Sequence, residues 1–505
     1  MKTKKDVIFA AATAIFAVVA VAYTFWGGFN LGATISCTFL FILSTAYLIG
    51  KPCSPSIFSC ACGILALLSS LVYTFSTDPV FRLLGVFLIP ILISVYLIGL
   101  GGTGRYWQGS YTLVLDVLRT IFIIPFAHIG TAMKAIFTRK PGKSSGNAGK
   151  ILLGLTASLP VLLIIIPLLI KADAAFSDLM TNIAGHFNLS ETVAQIILGL
   201  AIAPFLFTVF YALKNKLDKP NPDLQTKINA FPKMNSLVVT SFLSAISVCY
   251  LIYLFAQLAY FFNGFAGILP NGWNVVDYAK RGFFEMSAIA AINLCVIFVA
   301  SVAVRRQASG ELPLSIKLLD LYISLFTLLL ISTAQAKMFM YIRDFGMTRL
   351  RLLTSIFMWL LILIYLFVMI RLFVRRFPYM KAIVLSITFI FIAAWGLTPV
   401  QLDVNSIVCR YNISAYKNSK NPDRTHKLDI QYLSSLGASA TPYLKELSED
   451  SEIPEDLRQE AYTALTVRAA YNTEEKCTEL KSYNFSKNNE QKVFETLTKE
   501  PHAKQ

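Results

Sequence analysis

Six basic residues stand out because each lies beside a predicted membrane span, on the predicted outer side of the membrane, where basic residues are otherwise scarce. They fall in or directly beside two loops, and they are Lys280, Arg281, Lys337, Arg343, Arg349 and Arg351. Arg281 and Glu285 are four residues apart, so their side chains can pair on one face of a helix. Ionisable residues at membrane depth are energetically costly, which makes them candidates for a functional role.

Together with polar residues of the neighbouring spans, these side chains predict an outward-facing polar vestibule between the seventh and the tenth span. Its ligand would be small and either polar or anionic. The ligand-binding residues that we predict are Arg281, Glu285, Lys337, Arg343, Arg349, Asn293 and Gln257, with Gln335 also lining the vestibule. In the alternative interpretation, the basic groups pair with nearby acids, reach lipid head groups or contact the C-terminal domain. Lys317 and Asp320, near the other end of the ninth span, are interpreted as head-group contacts.

The sequence offers no motif for catalysis or metal binding. The four histidines are far apart, and neither His-x-x-x-His nor Cys-x-x-Cys occurs, so no spacing suits zinc. We therefore predict no catalytic residue, no metal, no cofactor and a protein that is not an enzyme. Cys409 and Cys477 are the only cysteines after residue 400. They either form a disulfide, which an extracytoplasmic compartment would preserve, or remain two unpaired thiols.

The composition indicates which elements must position these residues. The chain has 505 residues, of which 55% are hydrophobic and 15% charged, and its mean hydropathy is +0.60. Soluble domains carry about 25% charged residues, so the composition predicts an all-α polytopic membrane protein. The net charge of +16 lies in short segments between apolar runs, where basic residues mark the cytoplasmic side. It therefore does not indicate a nucleic-acid partner, and the predicted partner is the lipid bilayer.

Eleven apolar segments are long enough, or nearly so, to cross the hydrocarbon core, which needs about 20 residues. They are Val7–Phe25, Leu31–Ile49, Ile57–Phe75, Val80–Leu100, Ile151–Ile170, Val193–Leu213, Leu237–Phe262, Phe283–Val304, Leu318–Met340, Leu353–Phe373 and Ala382–Leu397. The distribution of lysine and arginine places the N-terminus in the cytoplasm. Eleven crossings then place residues 401–505 outside.

Four regions follow from this pattern. Residues 1–100 carry four spans, and residues 101–150 form a basic cytoplasmic loop with an amphipathic helix over 111–137. That helix is expected to lie in the membrane interface, although a spanning arrangement stays open. Residues 151–400 form a seven-helix membrane core, and residues 401–505 form a small helical extracytoplasmic domain whose tail after Lys481 is expected to be only partly ordered.

Several motifs resemble those of a family of bacterial integral membrane proteins. They are Tyr278–Glu285, Lys337–Tyr341 with Phe345–Arg351, Asn405–Asn412 and Ser482–Ser486, with Met347 standing where the family usually has leucine. The family is number 4173 in the domain-of-unknown-function series and is related to number 4153. The resemblance covers roughly residues 150–490. It implies a bacterial cytoplasmic-membrane location and no established activity, and it makes the basic outer loops part of the family pattern.

Three functions stay open at the level of sequence. The first is envelope transport or ligand sensing through the vestibule, by a multi-pass protein without enzymatic activity. The second is a structural or partner-binding role, in which the C-terminal helical domain contacts another envelope protein. The third and weaker one is an intramembrane enzyme built around Glu285, with Arg281 tuning its pKa.

Overall fold

The computed structural model describes most of the chain. The described residues are 4–49, 55–102, 112–137, 162, 165, 168–186, 191–217, 233–266, 283–305, 307, 311–374, 376–396, 398–418, 428–472 and 480–499. They contain no β-strand, only one isolated bridge between Met234 and Val304. The fold is therefore all-helical over this part of the chain.

Ten described helices are long and apolar enough to cross a membrane. They are Lys5–Thr24, Leu31–Leu48, Ile57–Phe75, Pro79–Gly101, Glu191–Lys214, Ser236–Ala256, Glu285–Ala303, Leu314–Phe345, Arg349–Phe373 and Tyr379–Gly396. Each coincides with one of the eleven predicted segments. The remaining predicted segment, Ile151–Ile170, lies mostly outside the described residues. The number of spans that the described residues support is therefore ten.

The chain divides into two compact units, each described here by itself. Unit 1 comprises residues 1–107, 111–220 and 475–488, and unit 2 comprises residues 108–110, 221–474 and 489–505. The helices of unit 1 are α1 (Lys4–Thr24), α2 (Leu31–Leu48), α3 (Ile57–Ser70), α4 (Val72–Phe75), α5 (Pro79–Gly101), α6 (Thr112–Leu118), α7 (Ile124–Ala127), α8 (Ile129–Phe137), α9 (Ala174–His186) and α10 (Glu191–Lys214).

The helix ends of unit 1 follow from local chemistry. The side chain of Ser56 accepts a hydrogen bond from the Ser59 backbone N–H at the start of α3, and Asp78 accepts from Val80 at the start of α5. Both are N-caps, which satisfy donors that a first helical turn leaves unpaired. Gly102 ends α5 in the left-handed conformation, a backbone region that favours glycine.

The segment 111–137, which we predicted as one amphipathic helix, is broken into short pieces over its described residues 112–137. Between α6 and α7 the backbone forms a π-helical turn, Arg119–Ile123. The Thr120 hydroxyl donates to the Asp116 carbonyl, with 2.8 Å between the oxygen atoms, and the ring of Phe126 lies 5.3 Å from that of Phe205 on α10. No described part of this segment forms one continuous helix long enough to span a membrane.

Unit 2 contains the remaining membrane helices and most of the C-terminal helices. Its membrane helices are α11 (Ser236–Ala266), α12 (Phe283–Ala303), α13 (Leu314–Phe345), α14 (Arg349–Phe373) and α15 (Tyr379–Gly396). Their core joins Leu243 of α11, Ile297 of α12, Ile323 of α13 and Tyr365 of α14. The central helix α13 has 32 residues and is therefore about 48 Å long at 1.5 Å per residue, more than a hydrocarbon core of about 30 Å requires.

The C-terminal helices of unit 2 form a second apolar core. They are α16 (Val404–Lys417), α17 (Ile430–Ser435), α18 (Thr441–Glu449), α19 (Glu455–Asn472) and α20 (Phe485–Lys499), the last of which begins within unit 1. Val408, Leu433, Leu444 and Leu465 are completely buried or nearly so in this core. Within the tail after Lys481, for which only partial order was expected, residues 485–499 form a regular helix.

Candidate functional site

A chain of polar side chains crosses the centre of the unit 2 membrane bundle. The Tyr250 hydroxyl of α11 donates to Oδ1 of Asn293 on α12, with 2.6 Å between the atoms. Nδ2 of Asn293 donates to the Thr327 hydroxyl of α13 over 2.9 Å. Asn293 and Thr327 are fully buried. Hydrogen bonds between membrane helices contribute about 0.6–2 kcal/mol each, so this chain holds three helices in register.

A second tyrosine joins a fourth helix, α14, to α12 by a hydrogen bond close to this chain of polar side chains. The hydroxyl of Tyr365, on α14, donates to the carbonyl oxygen of Ala290 on α12 over 2.5 Å. Tyr365 has no exposed surface. Of these residues we predicted only Asn293 as part of a site. A sequence signal exists for Thr327, because Asp320, Ser324 and Thr327 recur at the spacing of one helical face.

Further along α13, a buried amide lacks partners. Gln335 is 3% exposed, and neither its Oε1 nor its Nε2 has a hydrogen-bond partner among the described residues. It lies eight residues beyond Thr327, or about 12 Å along the helix. Lys337, two residues later, is half-buried. A buried polar group without a partner costs about 1–3 kcal/mol, so this position is one where a polar ligand would gain by binding.

Asp320 does not make the head-group contact that we expected. Its side chain is fully buried, and neither carboxylate oxygen has a hydrogen-bond partner among the described residues. Lys317, which we grouped with it, instead pairs with Glu311 at 2.8 Å. The interpretation failed because a position near the end of a span does not determine whether the side chain points to the surface or into the bundle.

The other predicted ligand-binding residues differ in their surroundings. Glu285 is exposed, and Arg343 is exposed and pairs with the adjacent Asp344 at 3.0 Å. Arg281 and the side chain of Gln257 lie outside the described residues, so the predicted pairing of Arg281 with Glu285 stays a prediction. The outward-facing vestibule is likewise still a prediction.

The turn between α13 and α14 is built as an attachment point for the C-terminal helices. Oδ1 of Asn412 accepts from the Met347 N–H over 2.8 Å, and Nδ2 of Asn412 donates to the Met347 carbonyl over 2.7 Å. The backbone N–H of Arg349 donates to the Tyr432 hydroxyl over 2.7 Å. These contacts join two of the motifs that carried the family resemblance. They are made by backbone groups of Met347 and Arg349, so contact of the basic side chains with the C-terminal domain stays a prediction.

Arg351 stabilises the same turn from the membrane side. Its guanidinium donates to the carbonyl oxygens of Phe345 and Gly346, at 3.0 and 2.5 Å. The same group lies 3.8 Å from the centre of the Tyr341 ring, a cation–π contact. Arg351 is therefore engaged within unit 2 by two carbonyls and one ring.

Unit 1 holds an ionic cluster that the sequence did not predict. Asp6 is 5% exposed, and its Oδ1 accepts hydrogen bonds from the Tyr47 hydroxyl at 2.9 Å and from Nζ of Lys214 at 3.1 Å. Nζ of Lys214 also lies 3.6 Å from the centre of the Tyr47 ring. No sequence pattern relates these residues, because they are 41 and 208 positions from Asp6.

The Ser482–Ser486 motif also has a structural role within unit 1. Nδ2 of Asn484 donates to the carbonyls of Tyr73 and Ser76 over 3.1 and 3.2 Å, and the Ser486 hydroxyl donates to the Phe75 carbonyl over 2.5 Å. Carbonyls at a helix end have no partner within the helix. The motif therefore satisfies the end of the third apolar segment.

The described residues offer no set of three histidine, cysteine, aspartate or glutamate side chains that could hold a metal ion. Cys409 is a free, fully buried thiol, and burial raises its pKa to about 12. Cys477 lies outside the described residues, so pairing of these two cysteines stays a prediction.

Comparison with known proteins identifies a family. No curated protein and no solved structure matches the chain. A family model matches residues 63–447, and its description is Domain of unknown function (DUF4153). The related number 4173, which the motifs indicated, is not confirmed. Because the match spans more than half of the chain, this protein belongs to the family described as Domain of unknown function (DUF4153).

Proposed function

We propose that the membrane helices of unit 2 bind a small polar or anionic solute, in transport or in ligand sensing. The observation that carries the proposal is the buried amide of Gln335, whose donor and acceptor both lack partners among the described residues. A solute carrying both a donor and an acceptor would satisfy this amide. Ligand sites are mostly apolar with a few such polar groups.

The test measures binding to the full-length protein in lipid nanodiscs. Thermal unfolding is followed in the presence of single amino acids, dicarboxylates, sugars and inorganic phosphate. A solute present at 100 times its Kd stabilises the folded state by about 2.7 kcal/mol. We expect at least one solute to raise the Tm of the wild type and of Ser355→Ala. That control removes another buried polar group without a described partner.

The variant that tests the role of Gln335 is Gln335→Leu, which keeps the side-chain volume and removes the amide group. We expect the solute-dependent rise in Tm to disappear in this variant. If the rise is the same as in the wild type, Gln335 does not bind the solute. If no solute has an effect and Gln335→Leu raises the Tm by itself, Gln335 is a packing residue and the proposal is wrong.

The cellular location belongs to the same proposal. We place the protein in a bacterial cytoplasmic membrane with its N-terminus inside and the C-terminal helices outside, as the lysine and arginine distribution favours. A reporter enzyme fused after Leu397 should be active outside the cytoplasm. Cytoplasmic activity of that fusion would reverse the orientation.

The partner-binding and enzymatic alternatives stay as predictions with less support. In the described part of residues 428–470, the exposed large apolar side chains are Tyr462 and Val467. Scattered apolar residues of this kind are normal on protein surfaces. They do not favour a docking surface for an envelope protein.

A further inference from the structure

Asp320 lies inside the membrane-spanning part of unit 2. Its neighbour α12 has 21 residues and is thus about 32 Å long, close to the hydrocarbon thickness. α12 runs antiparallel to α13, because Asn293 pairs with Thr327 and Ser301 lies beside Asp320. Asp320 is therefore level with residues about one turn before the end of α12, within the apolar bundle.

No described side chain neutralises this carboxylate. α11 carries no charged residue, and the only one on α12 is Glu285, near the opposite end. On α14 the nearest is Arg371, which lies 5.9 Å from the centre of the Tyr379 ring. On its own helix, Lys317 is paired with Glu311.

The other titratable groups of the packed helices are uncharged tyrosines and thiols. They are Cys249, Tyr250, Tyr253 and Tyr260 of α11, Cys295 of α12, Tyr322 and Tyr341 of α13 and Tyr365 of α14. Arg305, just after α12, is exposed. The hydroxyl of Ser324 donates to the backbone carbonyl of Asp320, and Ser301 lies close without meeting hydrogen-bond geometry.

We infer that Asp320 is a binding site for one monovalent cation, either a proton or an alkali metal ion. A buried ionised carboxylate without a partner is strongly disfavoured, and buried charges in proteins are neutralised, paired or bound to a metal. One carboxylate supplies one negative charge, so a monovalent ion leaves the site neutral within the membrane. Carboxylate and hydroxyl oxygens are hard ligands that suit such ions. The inference is independent of the solute proposed above.

The test observes the carboxyl group itself in full-length protein in nanodiscs by infrared difference spectroscopy. The wild type is compared with Asp320→Asn and with the control Asp344→Asn, whose carboxylate pairs with Arg343 near the surface. Spectra are recorded over a pH series in buffers whose only added cation is choline, sodium or potassium. The probe is the carbonyl stretching band of a protonated carboxylic acid.

We expect the wild type and Asp344→Asn to show an acid band that Asp320→Asn lacks. A band that changes with pH and not with the salt identifies the cation as a proton. A band that is present in choline and lost in sodium or potassium identifies a metal ion. If the wild type and Asp320→Asn have the same acid region in every buffer, the carboxylate binds neither cation and the inference is wrong.

A second variant covers the case in which Asp320→Asn does not fold. Ser301→Ala removes the hydroxyl beside the carboxyl group and keeps the acid itself. We expect the band to persist with a shifted frequency, because the polarity around the acid changes. A spectrum identical to that of the wild type would show that the observed acid is not Asp320.

Discussion

Replacing Gly346 with alanine should loosen the attachment of the C-terminal helices to the α13–α14 turn. Gly346 has φ 76° and ψ 172°, a backbone region that costs a residue other than glycine about 1–3 kcal/mol. An added Cβ would also lie 2.9 Å from Oδ1 of Asn412. The carboxamide must then move, which weakens its two hydrogen bonds to Met347, each contributing about 1 kcal/mol.

These contributions predict a loss of about 3 kcal/mol in the local stability of the attachment, most of it from the backbone. Every 1.4 kcal/mol is about tenfold in an equilibrium constant, so local opening should become more than a hundred times as frequent. Amide hydrogen exchange with mass spectrometry measures this directly on the full-length protein. Faster exchange is expected in α16 and α17, whereas exchange in α12 should stay as in the wild type.

A double-mutant cycle separates strain from steric displacement. Asn412→Ala alone should cost about 2 kcal/mol, because it removes two hydrogen bonds. In the double variant the displaced carboxamide is absent, so the combined loss should be smaller than the sum of the two single losses. Unchanged exchange in Gly346→Ala, or strictly additive losses, would refute the reasoning.

Two further predictions concern the C-terminal helices. Glu490 is 6% exposed and accepts hydrogen bonds from Arg468 and from the Thr441 hydroxyl. Glu490→Ala removes the carboxylate that pairs with the partly buried Arg468. We therefore expect the free energy of unfolding to fall by about 3 kcal/mol. Denaturant unfolding with the exposed Glu460→Ala as control measures this, and equal stability of the two variants would contradict it. Burial raises the pKa of Cys409 to about 12, so its thiol should resist a maleimide at pH 8 and react only after unfolding, because the thiolate is the nucleophile. Mass spectrometry of the labelled peptide checks it, and rapid labelling of the folded protein would show the thiol to be accessible.

The sequence was a good guide to the membrane helices and a poor one to their contacts. Leu314–Phe345 and Arg349–Phe373 were predicted within a few residues, because hydrophobic length alone identifies a span. Asp320 was misinterpreted, because its position near a predicted span end said nothing of which side of the helix faces protein. Asn293 was predicted as a site residue, but its partners Tyr250 and Thr327 were not, because they lie on other helices.

The amino-acid sequence by itself predicted the all-helical character that the described residues show, the positions of ten spans to within a few residues, and which residues are costly in a membrane. Only the tertiary structure decided that Asn412 holds the turn at Gly346, that Asp6 pairs with Lys214, and that Asp320 and Gln335 are buried without described partners. The physical reason is that length and hydropathy are properties of one helix, whereas burial and pairing depend on its neighbours. Lipid is as apolar as a leucine-rich helix face, so packing and interhelical hydrogen bonds select those neighbours.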